Sequence, residues 1–216
     1  MSIKLNAQSG GSVALDAPTQ TTGSEDLTFK LPVADGSAGQ VLKSDGSGNL
    51  GFTSLVSGIT ELDQWVMTGN HSADSGSVLN NNLSRLNTSN VSGASAQIGT
   101  GMTKDSSTGV FTFPSTGKWV IFMTVHMYLQ GDDNAGVLCK VSTDGGSNFS
   151  NHSLIYDGNN AGNTAVTGSN LAFIDVTSTG NVKVRFDPDS LATDSYITGN
   201  SSYIRTSFTF VRIGDT

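Results

Sequence analysis

Few residues of this 216-residue chain could do chemistry: three histidines, one cysteine and a scatter of carboxylates. His71 and His152 fall in stretches that read as loops, and His126 lies in the long apolar run Lys118–Leu129. A histidine base or metal ligand needs a carboxylate, a cysteine or another histidine at a usable spacing, and none accompanies His126. It reads as a hydrogen-bonded histidine, buried or at an interface. Cys139 sits in a strand pattern, Gly136–Val141, with no cation to lower its thiol, so it reads as buried and inert. A single cysteine excludes an intrachain disulfide framework. Asp132, Asp133, Asp144, Asp157, Asp187, Asp189 and Asp194 mostly neighbour Gly, Asn or Pro, where Asp closes turns through its own backbone. The competing use of these carboxylates is calcium, which takes several oxygen ligands from flexible loops, but no EF-hand or other fixed spacing is present. Nor do they form a recognisable pair for glycoside cleavage. The Gly-rich turns at 35–51 lack the Lys-Ser/Thr and helix of a phosphate loop. The expectation is a protein with no catalytic residue and no cofactor, calcium being the one ion its carboxylates could take.

The elements that carry these residues follow from composition. Ser, Thr, Asn and Gly make up nearly half of the chain, and charged residues only 13%, about half the usual ~25%. Those four residue types form helices poorly and turns readily, so short strands are expected throughout and no long helix. A net charge of −7 with scattered Lys and Arg excludes a nucleic-acid surface. The N-terminus lacks a signal-peptide core and no stretch approaches a membrane span, which predicts no membrane insertion and a product made in the cytoplasm.

Residues 109–129 are the most informative. Val110–Phe113 reads as a strand, Pro114–Gly117 as a turn, and Lys118–Leu129 as a strand apolar on both sides. Trp119, Ile121, Met123, Val125, Met127 and Leu129 lie on one face; Val120, Phe122, Thr124, His126 and Tyr128 lie on the other. An antiparallel strand usually shows one face to water. Two apolar faces must be covered twice, once by the strand's own core and once by another copy of the chain. Trp119, Ile121, Phe122, Met123, Val125, His126 and Tyr128 are therefore the expected trimer-interface residues. Further strands are expected at Gln64–Thr68, Leu83–Leu86, Gly136–Thr143, His152–Tyr156, Asn170–Val176, Asn181–Phe186 and Tyr203–Ile213, with turns at Asp144-Gly-Gly, Asp157-Gly-Asn-Asn, Ser178-Thr-Gly-Asn and Asp187-Pro-Asp. That spacing indicates an antiparallel β-sandwich.

Residues 1–57 differ in kind. Short apolar sets (Ile3/Leu5, Val13/Leu15, Leu27/Phe29/Leu31) recur at period two among Gln, Ser, Gly and Thr. One copy cannot bury enough apolar surface to offset its ordering entropy. Ala34–Leu42 and Ser44–Phe52 echo each other as Gly-rich turns that end in apolar residues, and such repeats need stacked neighbours. A flexible Gly/Ser tether is the alternative, but it leaves the period-two residues without a purpose. The division expected is 1–57 and 58–216.

Two resemblances attach to these motifs. The run Gly109-Val-Phe-Thr-Phe-Pro-Ser-Thr-Gly-Lys-Trp119, the long strand after it and the final Ser207-Phe-Thr-Phe-Val resemble the jelly roll of the complement-component-q and tumour-necrosis-factor superfamily. In that family an F-T-x-P-x-x-G-x-Y element feeds an inner-sheet strand at a threefold axis; Trp119 stands where the family usually has Tyr. The segment Leu31–Phe52 resembles a shaft motif of tailed-bacteriophage fibres. The opening Met1–Ser12 is similar to the starts of structural proteins from marine phages, notably cyanophages, as is Asp63-Gln-Trp with the later Ile98-Gly-Thr-Gly-Met. The resemblances imply an all-β, trimeric jelly-roll β-sandwich with an N-terminal extended β anchor and shaft.

They also imply a virion protein released by lysis: a homotrimeric tail-fibre or head-fibre appendage, joined to other virion proteins through residues 1–57. The polar loops of the head, with Asp132, Asn134, Asn148, Tyr156, Asn159 and Tyr196, would face a host-surface polysaccharide or an outer-membrane receptor. A capsid-decoration, neck or adaptor protein without receptor binding, and a small depolymerase, are the competing readings.

Overall fold

The computed structural model describes residues 3–6, 9, 12–15, 18–55, 58–72, 77–87, 91, 93–94, 97–131, 133–158, 162–192 and 194–216, with backbone only at 3–6 and 12–15. The chain divides into two compact units, Met1–Ser57 and Gly58–Thr216.

The first unit holds two antiparallel hairpins, β1 (Ile3–Asn6) with β2 (Ser12–Leu15) and β3 (Gln40–Ser44) with β4 (Leu50–Ser54). The β3–β4 turn is closed by one carboxylate: Asp45 Oδ1 accepts from the Ser47 and Asn49 backbone N–H groups, and Asn49 Nδ2 donates to Asp45 Oδ2 at 2.7 Å. The extended chain beside the turn pairs with it at Lys30, parallel to Asn49. Gly48, at φ +90°, sits so close that a Cβ would lie 2.7 Å from the Thr28 carbonyl. Among the described residues of this unit the larger apolar side chains do not gather into a core. Leu27, Phe29, Leu31, Val33, Leu42, Phe52 and Leu55 are all exposed.

The second unit is a sandwich of two antiparallel sheets. Its strands are β5 (Leu62–Met67), β6 (Leu83–Arg85), β7 (Gln97–Ile98), β8 (Thr103–Lys104), β9 (Phe111–Thr112), β10 (Gly117–Leu129), β11 (Asn134–Ser142), β12 (Ser150–Gly158), β13 (Thr164–Val176), β14 (Lys183–Asp189), β15 (Tyr196–Ile197) and β16 (Ser207–Gly214). One sheet runs β13-β10-β16-β5-β6, with β15 beside β10 and β7 beside β5; the other runs β12-β11-β14-β9-β8. Alternation along each strand turns one set of side chains inward. The inner set forms an aromatic core in which Phe111 packs against Trp65 and Phe210 at 5.1 Å each, and Phe186 stacks on Phe208 at 3.8 Å. Cys139 is buried within it, and burial pushes its thiol up to about 12.

The expected Pro114–Gly117 turn falls between β9 and β10, except that Gly117 is already the first residue of β10. Gly117 has φ +141°, and a Cβ there would stand 2.5 Å from the Gly214 carbonyl, so only glycine fits. Three expectations need correction. The last strand begins at Ser207 rather than Tyr203, leaving Tyr203 and Ile204 exposed ahead of it. Asn170–Val176 is the second half of a longer strand whose first half, Thr164–Ser169, is too polar to read as one. Asp187-Pro-Asp is the end of β14 and not a turn, and Asp187 is buried between Lys140 and Arg185, which it pairs at 2.9 and 3.0 Å.

Where the two sheets meet at one side, side chains from each reach the other's backbone. Ser153 Oγ of β12 donates to the Leu171 carbonyl at 3.1 Å, and Asn170 Nδ2 of β13 to the Leu154 carbonyl at 3.0 Å.

Candidate assembly surface

β10 lies between β13 and β16, and its register decides which residues reach the outside. Trp119 and Ile121 stand opposite Ile174 and Ala172, all buried, and Met123 opposite Phe208. These positions share the inner face. Trp119, Ile121, Met123 and Val125 are therefore sealed in the core of a single protomer, Trp119 being 1% exposed. This corrects their placement at a trimer interface: the inner face is filled by the protomer's own opposing sheet, and nothing is left for a partner to touch.

The other face of β10 points out. Phe122 is 52% exposed, and its β13 partner Leu171 is 53% exposed. One rung away, Val120 pairs with Phe173, which is 51% exposed. Extending that rung across the sheet gives Phe173, Val120, Val211, Leu62 and Ile98, one apolar residue on each of five adjacent strands. Full burial of a Leu or Phe side chain stabilises by about 1.5–3 kcal/mol, so half-exposed Phe122, Leu171 and Phe173 each leave about 1 kcal/mol unrealised. The next outward rung along β10 and β13, at the start of β10, is a charge pair, where Lys118 Nζ donates to Asp175 Oδ2.

Toward the other end of β10 the face becomes polar and aromatic. His126 and Tyr128 are half-buried there. His126 Nδ1 and the Thr198 hydroxyl share a hydrogen bond of 2.7 Å, and the His126 N–H donates to Thr206 Oγ1 at 3.0 Å. Burial holds the His126 ring below its ordinary pKa, and the neighbouring Arg205 cation lowers it further. Tyr196 belongs to β15 rather than to a loop, and its ring stacks on Tyr128 at 5.0 Å. Arg205 Nη2 donates to the Tyr203 hydroxyl at 2.7 Å.

The motif pair Asp63-Gln-Trp and Ile98-Gly-Thr-Gly-Met turns out to be one contact. Asp63 is buried, and its Oδ2 accepts from Trp65 Nε1 at 2.9 Å and from the Met102 N–H at 2.7 Å. Arg85 grips the same carboxylate at 2.9 and 3.0 Å. Glu61 accepts from the Thr100 and Gly101 N–H groups at 3.2 and 3.1 Å. A Cβ on Gly99 would fall 2.5 Å from the Glu61 carboxyl, so the loop can close over the acids only because it is glycine. The carboxylate charges are taken up by backbone donors and one guanidinium. This clasp holds β7 against β5 and so sets Ile98 at the end of the apolar row.

The remaining chemistry-bearing residues serve structure. Asp144 Oδ1 accepts from Ser142 Oγ and the Asn148 N–H, while Asn148 Nδ2 donates to Asp144 Oδ2. These bonds hold the Asp144 carboxyl down to about 2; two backbone N–H groups, Ser107 and Thr108, hold Asp105 likewise to about 2. Asn134 Oδ1 accepts from the Tyr156 hydroxyl across β11 and β12. Asp132 and Asn159 lie outside the described residues. His71 is buried against Ser77, and burial lowers its pKa. His152 is an exposed residue of β12 rather than of a loop. Among the described residues no three of His, Cys, Asp and Glu come close enough to hold a metal ion. An open cleft of about 650 Å³ is lined by Lys104, Asp105, Thr108, Thr112 and Gly146 among others; Lys104 Nζ donates to the Asn80 carbonyl and Asp105 accepts from the Ser107 and Thr108 N–H groups, so both charged groups serve the local fold.

No family model matches the sequence, and no curated protein matches it. Solved structures do match the fold. The Eiger tumour necrosis factor of S. frugiperda aligns at a TM-score of 0.51 with 11% identity, over 72% of this chain and 93% of that one. Murine APRIL at pH 5.0 aligns at 0.48 with 8% identity, over 71% and 98%. The Eiger alignment and the strand order above identify the second unit as a TNF-like jelly roll.

Proposed function

We propose that the protein is a homotrimeric bacteriophage virion appendage, in which residues 1–57 form an anchor and short shaft and residues 58–216 an outward-directed head. The observation that carries this reading is the outer apolar face around β10, where Phe122, Leu171, Phe173 and Ile98 are exposed, Val120 and Leu62 half-buried and Val211 buried between them, on a head that otherwise closes its core. A surface of this kind on a protein of low hydrophobicity marks an association site. A second copy supplies the same apolar chemistry, and a closed ring of copies leaves no unmatched face. The exposed Leu27, Phe29, Leu31 and Val33 ask for the same solution in the first unit. The resemblance of Leu31–Phe52 to phage fibre shafts supplies the virion context. Adhesion would work through avidity, three weak head sites acting together.

Size-exclusion chromatography with light scattering on the full chain tests the assembly: a trimer is expected, and a monomer overturns it. A second reading, a structural adaptor or decoration protein without receptor binding, is favoured by the fate of the polar side chains. Asn148 is spent on the Asp144 turn, Tyr196 on its stack with Tyr128, and Asn134 and Tyr156 on each other. Binding of the purified protein to host cells or envelope polysaccharide separates the two, since the adaptor predicts none.

A further inference from the structure

On the outer face of β10 stands one histidine, His126, and among the described residues around it no acid is placed to receive a charge on its ring. Opposite His126 on β13 stands Thr167, flanked by Ala165 and Ser169. From β15 and the segment after it come Tyr196 and Thr198; from the segment before β16 come Tyr203, Arg205 and Thr206. On β10 itself the nearest outward neighbours are Thr124 and Tyr128. Arg205 is thus the charged group that acts on the ring, and it is a cation. It is also the exception among four arginines, since Arg85, Arg185 and Arg212 each hold a carboxylate. The face's own carboxylate, Asp175, pairs with Lys118 eight residues along β10 from His126, about 26 Å away at the rise of a strand.

We propose that His126 makes the assembly acid-labile: once its ring is protonated, a second cation stands beside Arg205 inside the contact between copies, and the copies separate. This rests on the homotrimer reading above. In the separated protomer His126 is half-buried and open to water on one side, where a charged ring keeps part of its hydration. Covering the face removes that water and brings other copies' Arg205 and His126 toward the same contact. The assembled state therefore binds protons less readily than the separated one, so falling pH drives separation. The effect sets in below the ordinary histidine value of about 6.5, since burial and Arg205 already hold the ring under it in the separated protomer, and is absent at pH 8. If all three rings must be neutral, dissociation strengthens by up to about a thousandfold per pH unit, tenfold from each ring.

The test uses the full chain at fixed concentration, by chromatography with light scattering in steps from about pH 8 to about pH 5, a range that brackets the ordinary histidine value. Circular dichroism is recorded at each step. The expected result is a trimer at pH 8 that becomes a folded monomer before pH 5. His126→Gln keeps the trimer throughout, His152→Gln follows the parent protein, and Arg205→Gln moves the midpoint to lower pH. A parent trimer that persists unchanged to pH 5, a His126→Gln variant that separates with the parent profile, or a product already unfolded at pH 5 overturns the proposal and leaves the trimer standing. A monomer at pH 8 overturns the trimer itself, and the switch with it.

Discussion

In Gly58–Thr216 a single copy seals Trp65, Phe111, Phe113, Trp119, Phe186, Phe208 and Phe210 between two sheets, whereas in Met1–Ser57 the larger described apolar residues face water. The two stretches share a composition rich in Ser, Thr, Asn and Gly and close their hairpins alike. Asp45 with Asn49 and Asp144 with Asn148 make the same bonds four residues apart. Turn chemistry therefore does not separate them. What separates them is strand length: β10 and β13 run 13 residues each, against four or five in β1 to β4. A long strand offers six or so inward positions to an opposing sheet. A four-residue strand offers two, too few to offset the entropy of ordering it.

The contrast can be broken hardest at the head core. Phe111→Ala removes the ring that touches Trp65, Phe186 and Phe210, and should cost about 3–5 kcal/mol in urea unfolding of the full chain. Asp63→Ala leaves Arg85, Trp65 Nε1 and the Met102 N–H without their acceptor, and should cost a similar 3–5 kcal/mol. A loss below about 1 kcal/mol in either would mean that the core is not the source of the head's stability. Phe122→Asp comes next. It should leave head unfolding within about 0.5 kcal/mol, because the side chain is exposed, and should abolish the trimer in light scattering. If the trimer survives, the outer face of β10 is not the contact. Phe29→Ser with Leu31→Ser should leave head unfolding unmoved and increase protease cleavage within 1–57. The smallest effect is at Asp144. Its carboxyl is held at about 2, below the ordinary 3.8, so its contribution is complete above pH 4 and fades as pH falls through 3.8 toward 2. Asp144→Asn should flatten the acid limb of stability in that window, and carbon-detected NMR titration of the parent should place the Asp144 midpoint near 2.

Much of the head was legible because its strands alternate. The period-two pattern located β10, β11 and β14 within a few residues, and with the Gly109–Trp119 run gave the jelly roll. The pattern could not say which face of β10 is inward, since both are apolar. That choice belongs to residues far along the chain: Ala172 and Ile174 on one neighbour and Phe208 and Phe210 on the other share the side of Trp119 and Ile121. The first half of β13 escaped because Thr164–Ser169 carries little apolar signal and is held by pairing with β10. The Asp63 clasp had a signal in the pairing of Asp63-Gln-Trp with Ile98-Gly-Thr-Gly-Met. Reading it as a contact needed Arg85, whose role only the folded register reveals.

The bonds from Ser153 to the Leu171 carbonyl and from Asn170 to the Leu154 carbonyl act at the flank where β12 and β13 would otherwise present bare strand edges. With those carbonyls engaged by side chains of the facing sheet, a foreign strand finds a poor template there. Copies of the head are steered toward meeting through side chains on a broad face instead of zipping backbone to backbone. Growth by strand addition has no natural stopping number, whereas face-to-face contact can close on itself; two polar side chains thus guard the sandwich against fibrous clumping.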